Sequence, residues 1–356
     1  KRNKALQRWY RLWQGATELQ PYPEDERTNF HVPLTEWQVR AKLAREIDAL
    51  LGEESEVIVK GVGPSDIERA PKLSRYMNWR IKSLRLFVKL HDYLLQKIVL
   101  GTTIGFLPWV RKERTVRESV KKETPITRSA IDEFSGLETI VNDTEITYED
   151  VEKTVVDFEG PDLVVEDIEN WALPSNSKTL EEADHFERRL RLTVDEILDL
   201  ADLDKLDRKV LNKETIEKLR KLAETGSVGE GTETDSGKSV RDEKADLEGQ
   251  PETGTARDER LTLINWVGWF RTKNAKAEDR AIRTVGFYQP DTHLLLGASR
   301  LVDLFPDGRH PFISSVLYRN YNRFWGKGLP EELESINAEM DSHHSGLTDV
   351  LPFTLG

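Results

Sequence analysis

The chain has no cysteine among its 356 residues. That absence excludes disulfide scaffolds, thiolate nucleophiles and cysteine-ligated zinc, and it fits a reducing compartment. Long apolar runs are missing as well. The longest uncharged run, Ile98–Val110, is interrupted by Gly101, Gly105 and Pro108 and is too short to cross a bilayer, so no membrane span is expected. Lys1–Trp13 is basic and aromatic and lacks the apolar segment of a signal peptide. No starting Met is present and the sequence stops abruptly at Gly356, which leads to the expectation of further chain. No GxxxxGK[ST] loop occurs, which argues against an ATP motor, and the seven histidines show no Ser/His/Asp spacing for nucleophilic catalysis.

What is present is acidic and mixed. The net charge is −12, which disfavours a sequence-reading DNA binder, since such proteins gain affinity by neutralising phosphates with Lys and Arg. The charge is uneven. Glu224–Arg260 holds eleven acids and five bases, whereas Lys1–Trp13 holds five bases and no acid and Arg111–Lys122 is mostly basic. Nine tryptophans and 37% hydrophobic residues provide for a substantial core, in two domains or one elaborated domain.

Periodicity sets out an α+β chain. Leu6, Trp9, Tyr10 and Trp13 have helical spacing and read as a stripe docked on a core. Thr35–Gln38 reads as a capping box with Leu34 and Val39 as its staple, starting a helix that Gly52 ends. Glu56–Lys60 reads as a short strand, and Ser65–Glu68 as a second capping box for a helix that Pro71 restarts. Leu84–Leu100 is helical up to Gly101, and Thr102–Val110 alternates as a strand. Arg114–Phe158 is charged with weak periodicity and is expected to be a helical insertion or arm. Leu163–Val165 and His185–Leu192 read as strands. Thr193–Glu196 is a third capping box, and helices are expected over 194–201 and 213–222. The Gly/Ser/Thr/Glu-rich stretch 225–258 cannot offset its ordering entropy and is expected to be a flexible acidic loop. Strands follow at 261–271, 281–289 and 293–301, the last two joined by Pro290-Asp291-Thr292.

The C-terminal stretch is the most informative. The apolar run Phe312, Ile313, Val316, Leu317, Tyr318 leads to Phe324-Trp325 and the Gly326/Gly328 break, and Pro330 stands where a first helical turn accepts proline. Leu329, Leu333, Ile336, Met340 and Leu347 follow at spacings of 4, 3, 4 and 7, a narrow apolar seam on a helix of about 20 residues and roughly 30 Å. Glu331, Glu334, Asp341 and other polar residues fill the rest of its surface. A new strand is expected after it.

This order of elements resembles the portal proteins of tailed bacteriophages. The stretch LVVEDIENWALPSNSKTLEEADHFERRLRLTVDEILDLADL at 163–203, the strands around Gly286–Gly297 and His310-Pro-Phe312 are similar to that family as well, so the resemblance covers roughly 70–356. It implies a helical part of the wing over 1–100, an α/β wing over 101–328, a stem helix over 329–350 and the start of a clip over 351–356. It further implies a structural, non-enzymatic subunit without cofactor or metal. Copies would close into a homo-oligomeric ring, twelve in the family, at one vertex of the virion capsid after assembly in the host cytoplasm. Double-stranded DNA would pass through in packaging and ejection. The implied partners are the terminase large subunit, a head-completion adaptor, and the major capsid and scaffold proteins. Leu329, Leu333, Ile336 and Met340 would pack the stem on a neighbouring helix, and Glu331, Glu334 and Asp341 would face water, capsid or channel. The insertion 114–158 and the loop 225–258 depart from the family pattern.

Other readings compete. Glu181 and His185, with Glu182 and Asp184 nearby, could be drawn as the metal site of a metal-dependent hydrolase, although no HExxH is present. The stretch is better read as an acidic helix start running into a strand. Lys60-Gly-Val-Gly63 imitates a dinucleotide-binding turn, but Asp66 stands where the third glycine belongs. Arg300, Arg309, Arg319 and Arg323 alternate with Tyr318, Tyr321, Phe324 and Trp325, a composition shared by single-strand nucleic-acid binders and by ordinary subunit interfaces. A non-portal virion or adaptor scaffold protein is the remaining alternative.

Overall fold

The structure is a computed structural model that describes residues 2–15, 31–52, 57–131, 138–202, 206–208, 210–225, 260–271 and 281–355. The acidic loop expected over 225–258 lies, apart from Thr225, outside them. The chain forms two units, one comprising Lys1–Leu107 with Leu163–Gly356 and the other Pro108–Asp162. Both helices and sheets build it, as an α+β chain.

In the larger unit, α1 (Arg2–Gln14), α2 (Leu34–Leu51) and α4 (Leu86–Leu100) pack together. Their shared core is Leu6, Val39, Leu43, Leu94, Ile98 and Val99, with Trp9, Tyr10 and Trp13 against its edge, so the N-terminal aromatic stripe does dock on a core. Arg2 reaches further. Its guanidinium lies 3.7 Å from the Trp325 ring and donates to the carbonyls of Ile168 and Trp171; burial lowers its pKa to about 10 despite the pull of Glu169. Between α2 and α4 runs α3 (Ala70–Ser83), separated from α4 by Arg85 in the left-handed region at φ 49°.

Two motifs behave differently from expectation. Thr35 does not cap α2, because its hydroxyl donates instead to Asn337 Oδ1 at 3.3 Å. Ser65–Glu68 forms a turn, and α3 begins only at Ala70; Asp66 Oδ2 accepts from Gly63 N–H at 3.3 Å. Lys60–Gly63 therefore opens no helix onto a phosphate. Of the strand expected at 56–60, residues 57–60 pair with no strand among the described residues. Val57 exchanges hydrogen bonds with the Asn78 side chain, and Val59 N–H donates to Ser74 Oγ, so α3 side chains take the place of a ladder.

Among the described residues ten strands follow in sequence order, β1 (Thr102–Phe106), β2 (Trp109–Ile131), β3 (Glu138–Pro161), β4 (Val164–Glu166), β5 (Trp171–Ala172), β6 (His185–Leu192), β7 (Leu261–Phe270), β8 (Ile282–Gln289), β9 (Leu294–Arg300) and β10 (Phe312–Val316). An antiparallel sheet in the order β10-β1-β4 continues from α4, and a second antiparallel sheet runs β5-β6-β7-β8-β9. Against the second sheet lie α5 (Val194–Asp202), α6 (Lys213–Thr225) and the short α7 (Leu301–Leu304). The capping box of α5 is formed in full: Thr193 N–H donates to Glu196 Oε2 at 2.8 Å, and Glu196 N–H donates to Thr193 Oγ1 at 3.3 Å.

The two sheets meet through aromatic rings and one buried ion pair. Trp171, Phe186, Phe312 and His310 stack at ring distances of 4.9 to 5.9 Å. Arg188 of β6 grips Glu166 of β4 with two hydrogen bonds, its guanidinium 4.9 Å from the Phe106 ring. Burial works against both charges, raising the Glu166 pKa and lowering that of Arg188. Removing one partner alone costs about 3–5 kcal/mol in such pairs, because the other charge is left buried.

The smaller unit corrects the helical expectation for 114–158. It is a two-stranded antiparallel hairpin of β2 and β3 with a register shift at Lys112/Glu113. The Thr, Val and Ile content favours strand, and its alternating charges pair across the ladder, Arg117 with Glu152 at 3.2 Å and Arg114 with Asp157 at 3.5 Å. Those charges on both faces hide the period of two from a hydrophobicity pattern.

The last element is α8 (Leu329–Leu355). The helix passes through Pro352, so the strand expected at 351–356 is absent from the described residues and the helix is 27 residues long, about 40 Å. Among the described residues no helix is long and apolar enough to cross a membrane.

Candidate functional site

Three glycines fix where α8 begins. Gly101 ends α4 at φ 79°, and a Cβ there would stand 2.4 Å from the Lys327 carbonyl carbon. Gly326 and Gly328 are equally tight, meeting Val316 and the Val99 carbonyl at 2.2 Å. The start of α8 therefore lies directly on the end of α4, and Gly326 N–H donates to Thr102 Oγ1 at 2.8 Å. Glu331 and Glu332 occupy the first turn, where a helix favours negative charge. Desolvation raises the Glu331 pKa, opposed by Lys327.

The face that α8 turns towards its own chain is polar. Asn337 and Ser345 are buried, and Asp341 is nearly so. Asp341 Oδ1 accepts from Val32 N–H at 2.8 Å, while Oδ2 lies 2.9 Å from His31 Nδ1 and accepts from Asn337 Nδ2 at 3.2 Å. Glu334 pairs with Arg8 of α1. Asp341 and Glu334 thus turn towards the N-terminal segments, a correction to the outward polar face expected from sequence. The sequence could not reveal it, since the partners lie more than 300 residues away in the chain.

The apolar seam divides in the structure. Leu329 packs against the N-terminal core and Leu333 is half-buried. Ile336 and Met340 stay open at 48% and 41% exposure, and the stripe continues through Leu347 at 67% and Leu351 at 50%. These four project on one side of the helix, roughly 100° around from the buried polar seam. Glu332 and Glu339 border them.

A second open apolar face lies on α3, and the sequence analysis missed it. Leu73, Tyr76 and Met77 share one side of the helix, Trp79 stands beside them, and all four are exposed. Its signal was present in LSRYMNWRIKS as i, i+3, i+4 spacing with bases between. Lys72, Arg75, Arg80 and Lys82 give α3 four cations and no acid.

Elsewhere the chemistry is held down. A cleft of about 760 Å³ beside β6–β9 is lined by Phe106, Arg188, Asn265, Phe287, Phe305 and His310 among others. Arg188 is already engaged by Glu166, and desolvation, with Arg283 nearby, keeps the His310 pKa below that of free imidazole. His185 stacks on Trp266 at 6.4 Å, and the Glu181 main-chain carbonyl accepts from Arg283. Among the described residues no group of three or more His, Asp or Glu is gathered as for a metal ion. The arginine–aromatic set does not form one platform, since Phe324 is buried and Trp325 lies under Arg2 while Tyr321 projects into solvent.

Neither a protein-family model nor a curated protein matches this sequence.

Proposed function

We propose that the chain is a non-enzymatic, ring-forming structural subunit of the portal type, through which double-stranded DNA is packaged into and ejected from a capsid. The observation that carries this reading is the open apolar stripe Ile336–Met340–Leu347–Leu351 on a 27-residue helix anchored at its base to an α+β body. Four large apolar side chains left in water on one line call for a partner, and completing their burial contributes roughly 1 kcal/mol each. A neighbouring identical chain supplies that partner in a ring, where head-to-tail contacts close on themselves. The acidity fits a conduit, because excess Glu and Asp keep attraction to phosphates weak and let DNA slide. In this reading the terminase motor, head-completion adaptor, capsid and scaffold proteins dock on the ring at the portal vertex, and the motor supplies the ATPase.

The test is purification at micromolar concentration with sedimentation and negative-stain imaging across several salt concentrations, together with an ATP hydrolysis assay. Ring particles without nucleotidase activity are the expected result. A chain that stays monomeric under every condition overturns the proposal.

A further inference from the structure

We infer that the open stripe of α8 in one copy docks on the open face of α3 in the next, so that the subunit contact is heterologous and pairs an acidic helix with a basic one. This rests on the assembly reading above and specifies the surfaces that meet. Two observations carry it. The faces match in chemistry, since Ile336, Met340, Leu347 and Leu351 are as exposed as Leu73, Tyr76, Met77 and Trp79. They match in charge. Glu332 and Glu339 border the open stripe of α8, a helix with no Lys or Arg, while α3 carries Lys72, Arg75, Arg80 and Lys82 with no acid.

Charge also decides against the simplest alternative. Laying α8 on α8 of a neighbour would cover the same stripe, but it would bring together two acidic helices that carry no Lys or Arg between them, and like charges across a contact disfavour it. The two faces occupy different places on one chain. Within the chain α3 rests on α4 and on the Val57–Val59 segment. Joining two different patches propagates head to tail, and closure of that series gives a ring.

The absence of cysteine makes the test clean. Met77→Cys, Met340→Cys and the double variant are prepared as full chains, their folding checked by circular dichroism and thermal melting, and each is treated with a short bismaleimide. The double variant is expected to give a ladder of covalent multimers on a denaturing gel, and each single variant to remain one band. Covalent dimers from Met340→Cys alone, or the absence of a ladder from an assembled double variant, overturn the pairing while leaving the assembly reading standing. A wild-type chain that never assembles removes both. As an independent arm, Lys72→Glu with Arg75→Glu is expected to shift the sedimenting species to monomer, and adding Glu332→Lys with Glu339→Lys to restore the assembly. Failure of the reversed set to restore it in a folded protein counts against the pairing.

Discussion

His310 sits between the two sheets with its ring edge-on to Phe186, and neither ring nitrogen makes a hydrogen bond of normal geometry. Burial lowers its pKa first, Arg283 adds to that, and Glu181 with the Leu180 and Phe312 backbone opposes it. The folded state therefore takes up a proton less readily than the unfolded chain, whose imidazole titrates near 6.5. Stability contributed by the neutral ring is complete above that value and is lost as pH falls through it towards the lower folded pKa. Melting temperature is expected to drop between about pH 7 and pH 5, with His310→Gln flattening part of the drop. An unchanged slope in the variant would assign the pH response to other groups.

At the scale of elements, the crossing of α4 and the start of α8 depends on side chains that are absent. Gly101→Ala would force a left-handed backbone and a Cβ into the Lys327 peptide, and is expected to cost about 3 kcal/mol in urea unfolding. Gly286 in β8 provides the contrast, since its nearest neighbours stand at 3.9 Å and Gly286→Ala is expected to change stability by less than about 1 kcal/mol. Equal losses at both sites would mean that the crossing is not tightly packed. Elements whose signals are local were legible in the sequence. Thr193 and Glu196 cap each other across one turn, Gly101 stops α4, and Pro290–Thr292 joins β8 to β9. Motifs with a distant competitor were not. Thr35 had the same local pattern as Thr193, yet a buried Asn337 draws its hydroxyl away. Val57–Lys60 has strand composition but meets Ser74 and Asn78 where a strand would be, and the hairpin's paired charges concealed its alternation. The apolar spacing of α8 was readable. Which side would stay open was not, because that depends on Val32, His31 and Arg8 arriving from the other end of the chain.

For the molecule as a whole, the hairpin 108–162 is a separable unit. Its entry and exit lie on adjacent antiparallel strands, with Phe106 paired to Val164, so an Asn-Gly turn can close the gap. Replacing 108–162 by that dipeptide is expected to leave one cooperative unfolding transition with a midpoint within a few degrees of the parent, seen by circular dichroism. Loss of cooperativity would show that the hairpin supports the larger unit. Two-stranded ribbons are marginal alone in water, so the excised hairpin is not expected to hold its pairing as a free peptide.

The polar seam of α8 has a consequence for height along the helix axis. An apolar ridge tolerates sliding, since one leucine substitutes for the next a turn away. Asp341 does not, because a slip of one turn, about 5.4 Å, would strand its carboxylate away from Val32 and His31 and leave Asn337 without Thr35. The inward contacts therefore act as a vernier that sets the altitude of the outer stripe. Any chain that lands on that stripe meets every apolar side chain at one elevation, and copies stacked around an axis would share a common level without measuring it against each other.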